Sequence, residues 1–462
     1  MKERLSLIVN YSNIMQSGRK VFMGKSSNEK IRVIYKEIVF SMKSRVYLAL
    51  LLFSLLALPL YGADSLTWQQ CVSETREAHP DLASALALLQ QAEADTRITK
   101  GGIFPKLSLG LSSQERGVAN AGSSSLFSYS LSAQQLLFDG GKTSSQVAGS
   151  KEAIKAAQNN YSAVSANVRF ALRSAFTALL KAQNLVGLTV EIAERRQKNV
   201  RLITLRYQGG RENIGSLRQA EADLAQATFE VAQAERGLQL ARTTLATALG
   251  RDIYYPIAVT GTFTASFLTS QKPDIAPLAK KHPLYQQLDA SSRAAQYDLD
   301  AARNAFSPQL YLTSSVGRTS PDRLEFDGVD WSAGVTLSLP IYEGGSGGGR
   351  VAKAKAVVQQ RNAQEKSGYF QILDLLEQSW KSFQDASQMV VVRKKFLDAA
   401  VERATIATAQ YSNGLISFND WVVIEDKLVS TKKEYLNAGA DMLIAEAQWI
   451  QSKGGGLDGQ QE

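Results

Sequence analysis

Apolar and polar residues alternate with period two in four stretches of the chain. Leu107, Leu109 and Leu111 alternate with Ser108, Gly110 and Ser112, and after a Gly/Ser/Asn loop near residues 117 to 125, Phe127, Tyr129, Leu131 and Ala133 alternate with Ser128, Ser130, Ser132 and Gln134. Further on, Leu310, Leu312 and Val316 alternate with Gln309, Tyr311, Thr313 and Ser315, and Trp331, Ala333, Val335, Leu337, Leu339 and Ile341 alternate with Ser332, Gly334, Thr336, Ser338 and Pro340. Successive strand side chains point to opposite faces, so the pattern predicts two pairs of strands, each with one apolar and one small-polar face.

Elsewhere the period becomes seven. Pairs run Ile154/Ala157, Tyr161/Val164, Val168/Ala171, Ala175/Ala178 and Ala182/Leu185, then Leu217/Ala220, Leu224/Ala227, Val231/Ala234, Leu238/Ala241 and Leu245/Ala248. The second half keeps the seam less strictly, with Leu373/Leu376, Trp380/Phe383, Val422, Val429, Leu436, Leu443 and Ile450. A seven-residue repeat implies left-handed supercoiled helices, and the alanines let their axes approach closely. A continuous helix from Lys142 to Arg206 would span about 95 Å at ~1.5 Å per residue, enough to cross a periplasm.

The chain is also duplicated. His79-Pro80 and Pro105 recur as His282-Pro283 and Pro308, while Phe138-Asp139-Gly140-Gly141 and Tyr207-Gln208-Gly209-Gly210 recur, one residue later in register, as Tyr342-Glu343-Gly344-Gly345 and Tyr411-Ser412-Asn413-Gly414. The predicted order in each copy is helix, strand pair, long helix and return helix. The strands are about as long as the ~9 to 11 residues that cross an outer membrane at a tilt, and Phe104, Phe127, Tyr129, Phe138, Phe306, Trp331 and Tyr342 lie on or beside them as interfacial girdles would. Four strands cannot close a barrel, and an open sheet edge in hydrocarbon leaves backbone groups unpaired, so several chains must combine.

The formal charge of +9 suggests nucleic acid or a membrane surface, but it is concentrated in the leader: residues 1–63 hold 10 of the 52 Lys and Arg and 3 of the 43 Asp and Glu. Within that leader Met42-Lys43-Ser44-Arg45 precedes the apolar run Val46 to Leu60 and the small residues Gly62 and Ala63, the pattern of a cleaved secretory signal. Cys71 is the only cysteine, which excludes an intrachain disulfide, and its surroundings do not suit lipidation. Two histidines in different repeats give no metal constellation, and no cofactor is implied. Gly141-Lys142-Thr143 imitates the end of a phosphate-binding loop, but the required earlier glycine is Leu136 and the second repeat has no matching lysine. Asp420, Glu221 and Glu425-Asp426 are acids scattered on helices, with no nucleophile or base beside them. The expected organisation is a non-native extension at 1–41, a signal peptide at 42–63, repeat one at 64–250, an equatorial inter-repeat segment at 251–275, repeat two at 276–452 and a flexible tail at 453–462.

Taken in order and in duplicate, the His-Pro helix starts, the Phe-Asp-Gly-Gly and Tyr-Glu-Gly-Gly strand exits and the Tyr-x-x-Gly turns resemble the TolC-like outer-membrane efflux proteins over about residues 65 to 452. The resemblance implies a mainly α fold with a membrane β-barrel contribution: a homotrimer whose twelve-strand barrel, four strands per chain, continues as a coiled-coil α-helical tunnel. It implies a passive export duct in the outer membrane, working with a periplasmic adaptor and an inner-membrane transporter, without catalysis or nucleic acid. The alternatives are the exit channel of a type I protein secretion system and, in another class, a periplasmic coiled-coil tether, which would leave the four strands unexplained. By resemblance, Tyr207, Gly209, Gly210, Tyr411, Asn413 and Gly414 form the periplasmic tip turns where adaptor and transporter dock, and Gly140, Gly141, Gly344 and Gly345 turn strand into helix. The family commonly places an acid nine residues after the turn aromatic. Asp420 fits as an aperture residue, while Ser216 and Val423 stand where further acids would be.

Overall fold

The computed structural model describes residues 65–118, 122–251, 256–264, 271–321, 323–324 and 326–458. The expected extension at 1–41 and signal at 42–63 lie outside the described residues. In chain order the elements are β1 (Ser65–Leu66), α1 (Trp68–Ala78), α2 (Pro80–Lys100), β2 (Lys106–Val118), β3 (Gly122–Phe138), α3 (Lys142–Gln208), α4 (Ile214–Leu249), β4 (Ala258–Val259), α5 (Ile275–Lys281), α6 (Pro283–Asn304), β5 (Gln309–Pro321), β6 (Asp330–Ser338), α7 (Ser346–Ser412) and α8 (Phe418–Ser452).

The strands form one antiparallel sheet in the order β2-β3-β5-β6, so the two duplicated hairpins meet at their inner strands. Helices follow the same lateral order near the sheet, where α2 packs on α3, α3 on α6 and α6 on α7. In the half away from the sheet, the shorter α4 and α8 take their place against α3 and α7. The helices α3 and α7 have 67 residues each, about 100 Å of continuous helix. Both His-Pro pairs start helices: the Nδ1 atoms of His79 and His282 accept from the backbone N–H of Asp81 at 3.2 Å and Leu284 at 3.1 Å, and proline occupies the first turn, where its missing N–H costs nothing.

The core is strung along the helices. One cluster gathers Leu172, Phe176, Leu179, Leu245, Leu249 and Val259 where α3 and α4 meet β4; another packs Ile372, Leu376, Trp380 and Phe383 of α7 against Trp449 of α8; a third lies at the far end of the helices. On α4 the seventh-residue alanines Ala220, Ala227, Ala234 and Ala241 are all buried, as close helix approach requires.

Several expectations need correction. On α3 the buried partners of Val168 and Ala175 are Leu172 and Leu179, while Ala171 and Ala178 are exposed, because α3 is flanked by several helices and one two-position seam does not describe its surface. On α8 the buried positions are Trp421 and Leu428 rather than Val422 and Val429. The strand β3 begins at Gly122, inside the stretch expected to be loop, since Ser123–Ser125 pair with Gly117–Glu115 through backbone groups alone. The strand β6 stops at Ser338, short of Ile341; Pro340 has no N–H to continue a ladder. The tail packs on the helices through residue 458. Leu457 is buried, its N–H donates to Ser165 Oγ at 2.9 Å, Arg169 and Arg76 donate to the carbonyls of Gly456 and Leu457, and Arg76 pairs with Asp458 at 2.9 Å. The pairing of β1 with β4 carries no sequence signal, both strands being only two residues long.

Candidate functional site

The sheet separates its residues by parity. One face carries Leu107, Leu109 and Leu111 of β2, Tyr129 and Leu131 of β3, Leu310, Leu312 and Val316 of β5, and Trp331, Val335 and Leu337 of β6. Leu107, Leu109 and Leu111 are 70–72% exposed and Trp331 78%. The opposite face carries mostly serines, threonines and glycines, with Lys106, Tyr311 and Asp330 among them, and is cross-linked between strands by hydroxyl pairs Ser108/Ser132 and Ser112/Ser128 at 2.7 Å and Ser315/Ser332 at 2.9 Å. A sheet that exposes a continuous apolar face and pairs its polar groups on the other suits hydrocarbon on one side and water on the other. Among the described residues no helix is long and apolar enough to span a membrane.

Strand passes to helix through two glycine pairs. Gly140 and Gly141 have φ of 66° and 88°, Gly344 and Gly345 of 62° and 80°, the left-handed region that costs other residues about 1–2 kcal/mol. In repeat one Asp139 finishes the turn: its carboxylate accepts from the N–H groups of Gly141 at 3.1 Å and Thr143 at 2.8 Å. Gly141-Lys142-Thr143 is thus a helix start held by a carboxylate, with its backbone donors already occupied.

At the far end the two Tyr-x-x-Gly turns are built alike. The N–H of Arg211 reaches the Arg206 carbonyl at 2.8 Å and that of Leu415 the Gln410 carbonyl at 2.9 Å, a left-handed C-terminal cap with Gly210 at φ 69° and Gly414 at φ 76°. Gly209 and Asn413 are the residues just before, with φ of −80° and −88°. The return helices are capped by Asn213 and Ser417, which accept from the N–H groups of Ser216 and Asp420.

The tyrosines, by contrast, part company. Tyr207 is 40% exposed, whereas Tyr411 is 1% exposed and stacks on Trp421, ring centroids 4.5 Å apart and 5° from parallel. Its hydroxyl donates to Glu212 Oε2 at 2.7 Å, Ser216 Oγ donates to Glu212 Oε1 at 2.9 Å, and the Arg206 guanidinium lies 4.6 Å over the Tyr411 ring while donating to the Tyr411 carbonyl at 2.9 Å. Burial pushes the Glu212 carboxyl up, but hydrogen bonds from Tyr411, Ser216 and Asn213, with the Arg206 charge, outweigh it and hold the group below its ordinary value. Burial and the Glu212 bond raise the Tyr411 hydroxyl, which stays protonated.

Farther along the same helices, Arg195 forks onto Glu425 at 2.5 and 2.6 Å and Arg196 pairs with Asp426. Lys432 pairs with Glu191 and Lys433 with Glu230 at 2.6 Å. The acids Glu425 and Asp426 are therefore interhelical ion-pair partners. Asp420 stands apart in the first turn of α8, exposed, with its carboxylate accepting from Ser417 Oγ at 2.6 Å. Arg206, Glu212, Trp421 and Arg195 were absent from the sequence-based site. A buried tyrosine and an exposed one at equivalent positions read identically in sequence, and the arginine–acid partners lie 230 residues apart.

An apolar-faced sheet of membrane-crossing strands joined to two helices of about 100 Å, each with a shorter antiparallel return helix, defines a subunit of an outer-membrane channel. A family model described as outer membrane efflux protein matches residues 71–251 and again 277–455. The chain belongs to that family. Curated relatives include the outer membrane efflux protein BepC of Brucella suis biovar 1, 22% identical over 67% of this chain and 70% of its own, and Protein CyaE of Bordetella pertussis, 25% identical over 62% of each. Another is the cation efflux system protein CusC of Escherichia coli O157:H7, 24% identical over 83% of this chain and 85% of its own. Solved structures with the same fold include CusC (TM-score 0.77, 20% identity, 86% of this chain and 96% of that one) and the outer membrane protein VceC of Vibrio cholerae (0.73, 23%, 84% and 96%). The open-state MtrE outer membrane channel of Neisseria gonorrhoeae gives a TM-score of 0.75 at 20% identity, covering 84% and 89%. This protein is an outer-membrane efflux channel.

Proposed function

We propose that three copies close a twelve-strand barrel and that the assembly is the passive exit duct of a tripartite efflux pump, fed by an inner-membrane transporter through a periplasmic adaptor. The observation that carries this reading is the four-stranded sheet itself. It is apolar on one face, polar on the other and unpaired at the outer edges of β2 and β6 among the described residues, an arrangement that hydrocarbon tolerates only when further strands complete the ring. The helical bodies would then extend into the periplasm, with the turns at Gly210 and Gly414 at the docking tip. No step of the proposed transport requires bond chemistry. Water fills the duct, and the tip is held shut where Tyr411 and Arg206 join α7 to Glu212 and the end of α3.

Around the axis of such a trimer, Asp420 would contribute three carboxylates to one narrow aperture, favouring cations and binding multivalent ones. Its place in the first turn of α8 also lets it stabilise that helix by about 0.3–1 kcal/mol through the helix dipole. The test of the duct is electrical: the processed full-length protein, reconstituted in planar bilayers without nucleotide, conducts ions, and variants loosening the tip conduct more. A preparation that assembles in the outer membrane yet gives no conductance in any variant contradicts a duct.

A further inference from the structure

The two edge strands of the sheet do not end level. Followed along the ladder, Lys106 at the foot of β2 stands opposite Gln134, Thr313 and Gly334. From that level β6 continues four residues lower, to Ser338, and rises only to Asp330, whereas β2 rises to Val118. On both edges the even-numbered residues share the parity of the polar face, Arg116 of β2 and Asp330 of β6 among them. Both are exposed, and among the described residues neither has an ion-pair partner in its own chain. Asp330 is level with Gly110, three strands across from Arg116 and six residues below it. At ~4.8 Å between strands and ~3.4 Å per residue that is about 25 Å, too far for the two to meet within one chain.

We propose that β6 pairs with β2 of a second copy of this chain at a stagger of four or six residues, and that Asp330 and Arg116 of the neighbouring copy form an ion pair at this seam. This rests on the reading that three copies close one barrel. Paired residues share a face, so the stagger is even; an odd one would set Trp331 among the serines. Along the ladder, a ring of three identical sheets takes its whole shear at its three seams, and the shear fixes the tilt. At ~3.4 Å per residue and ~4.8 Å between strands, a stagger of two, four, six or eight gives a tilt of about 20°, 35°, 47° or 55°, and four and six lie nearest the ~35–45° of barrels. The strand ends decide the direction. Raising β6 by four sets Ser338 opposite Lys106 and Asp330 opposite Gln114, so that all nine residues of β6 are paired and Leu337, Val335 and Ala333 meet Leu107, Leu109 and Leu111. Lowering it by four leaves only Asp330 opposite Lys106. At a stagger of six Arg116 is directly opposite Asp330, and at four it is the diagonal neighbour, within reach of a long side chain.

Register and charge are measured separately, on the processed full-length chain extracted from the outer membrane. Asp330→Cys combined with Gln114→Cys or with Arg116→Cys is expected to link neighbouring copies, giving multiples of the chain on denaturing gels that collapse on reduction. Asp330→Cys with Gly110→Cys, the unstaggered pairing, is expected to stay single. The native Cys71 gives no background, being buried with its thiol pushed up to about 11 chiefly by burial. Ser332→Cys with Ser112→Cys or Gln114→Cys repeats the reading without touching either charge. For the ion pair, Asp330→Arg and Arg116→Asp each set like charges across the seam and lower the temperature at which assembled channels dissociate, and the double reversal recovers most of that loss. Linking through Gly110→Cys, or by none of these pairs in a chain that still assembles as a trimer, overturns the stagger. Reversals whose losses simply add overturn the ion pair. A parent chain that extracts as a monomer fails the barrel reading itself, before the seam is in question.

Discussion

In the proposed duct, Tyr411 is the residue that holds the tip closed. Its hydroxyl bond to an ionised Glu212 is charge-assisted, and its loss costs about 1–3 kcal/mol. Tyr411→Phe keeps the stack on Trp421 and removes only that bond, so the expected outcome is higher conductance with an unchanged assembled mass; Tyr207→Phe, at the exposed counterpart, changes neither. The same pair predicts a pH response. The folded-state pKa of Glu212 lies below its unfolded value, so the ionised carboxylate stabilises the tip at neutral pH and this contribution is lost as the pH falls through the depressed folded pKa. Conductance should therefore rise only below the ordinary carboxylate value of about 4.3, and Glu212→Gln should weaken that acid response. For Asp420→Ala, relief of trivalent-cation block from the periplasmic side, with trimer stability nearly unchanged, is the outcome that an aperture ring gives. If block and selectivity match the parent, Asp420 does no more than stabilise the first turn of α8. At this scale the sequence was least legible: Asp420 and the tip-turn glycines were nameable through the family resemblance, but Glu212, Arg206 and Arg195 act through partners about 200 residues distant, and nothing local marks them.

Elements were read more easily, because periods of two and seven are imposed by geometry on every residue of a strand or helix. The reading failed where side chains carry no contrast, as in Ser123–Ser125, which pair through the backbone only, and where one seam had to serve several neighbouring helices. The duplicated glycine turns supply a test that sequence could not frame. A Cβ on Gly140 would lie 2.1 Å from Ser307 Cβ, while one on Gly344 meets nothing within 4 Å. Both substitutions pay about 1–2 kcal/mol for the left-handed backbone. Gly140→Ala adds a collision between the two repeats, so it should lower the temperature at which assembled channels dissociate well below that of Gly344→Ala. Equal effects would mean that Ser307 moves aside freely. The hairpin topology is checked by an epitope inserted after Asn120, between β2 and β3, which should be labelled on intact cells; labelling only after permeabilisation would invert the chain in the membrane.

For the whole molecule, the duplication gave the order of parts, and the strand count implied that one chain is incomplete. What one chain withholds is closure, since the edges of β2 and β6 end the sheet. The central claim is that copies of the chain supply the missing strands for one another. Native mass spectrometry of the complex extracted from the outer membrane measures this directly. The account predicts a mass three times that of the processed chain, falling to single chains on heating. A monomer or dimer as the extracted species, or a chain recovered in the soluble periplasm, would contradict it.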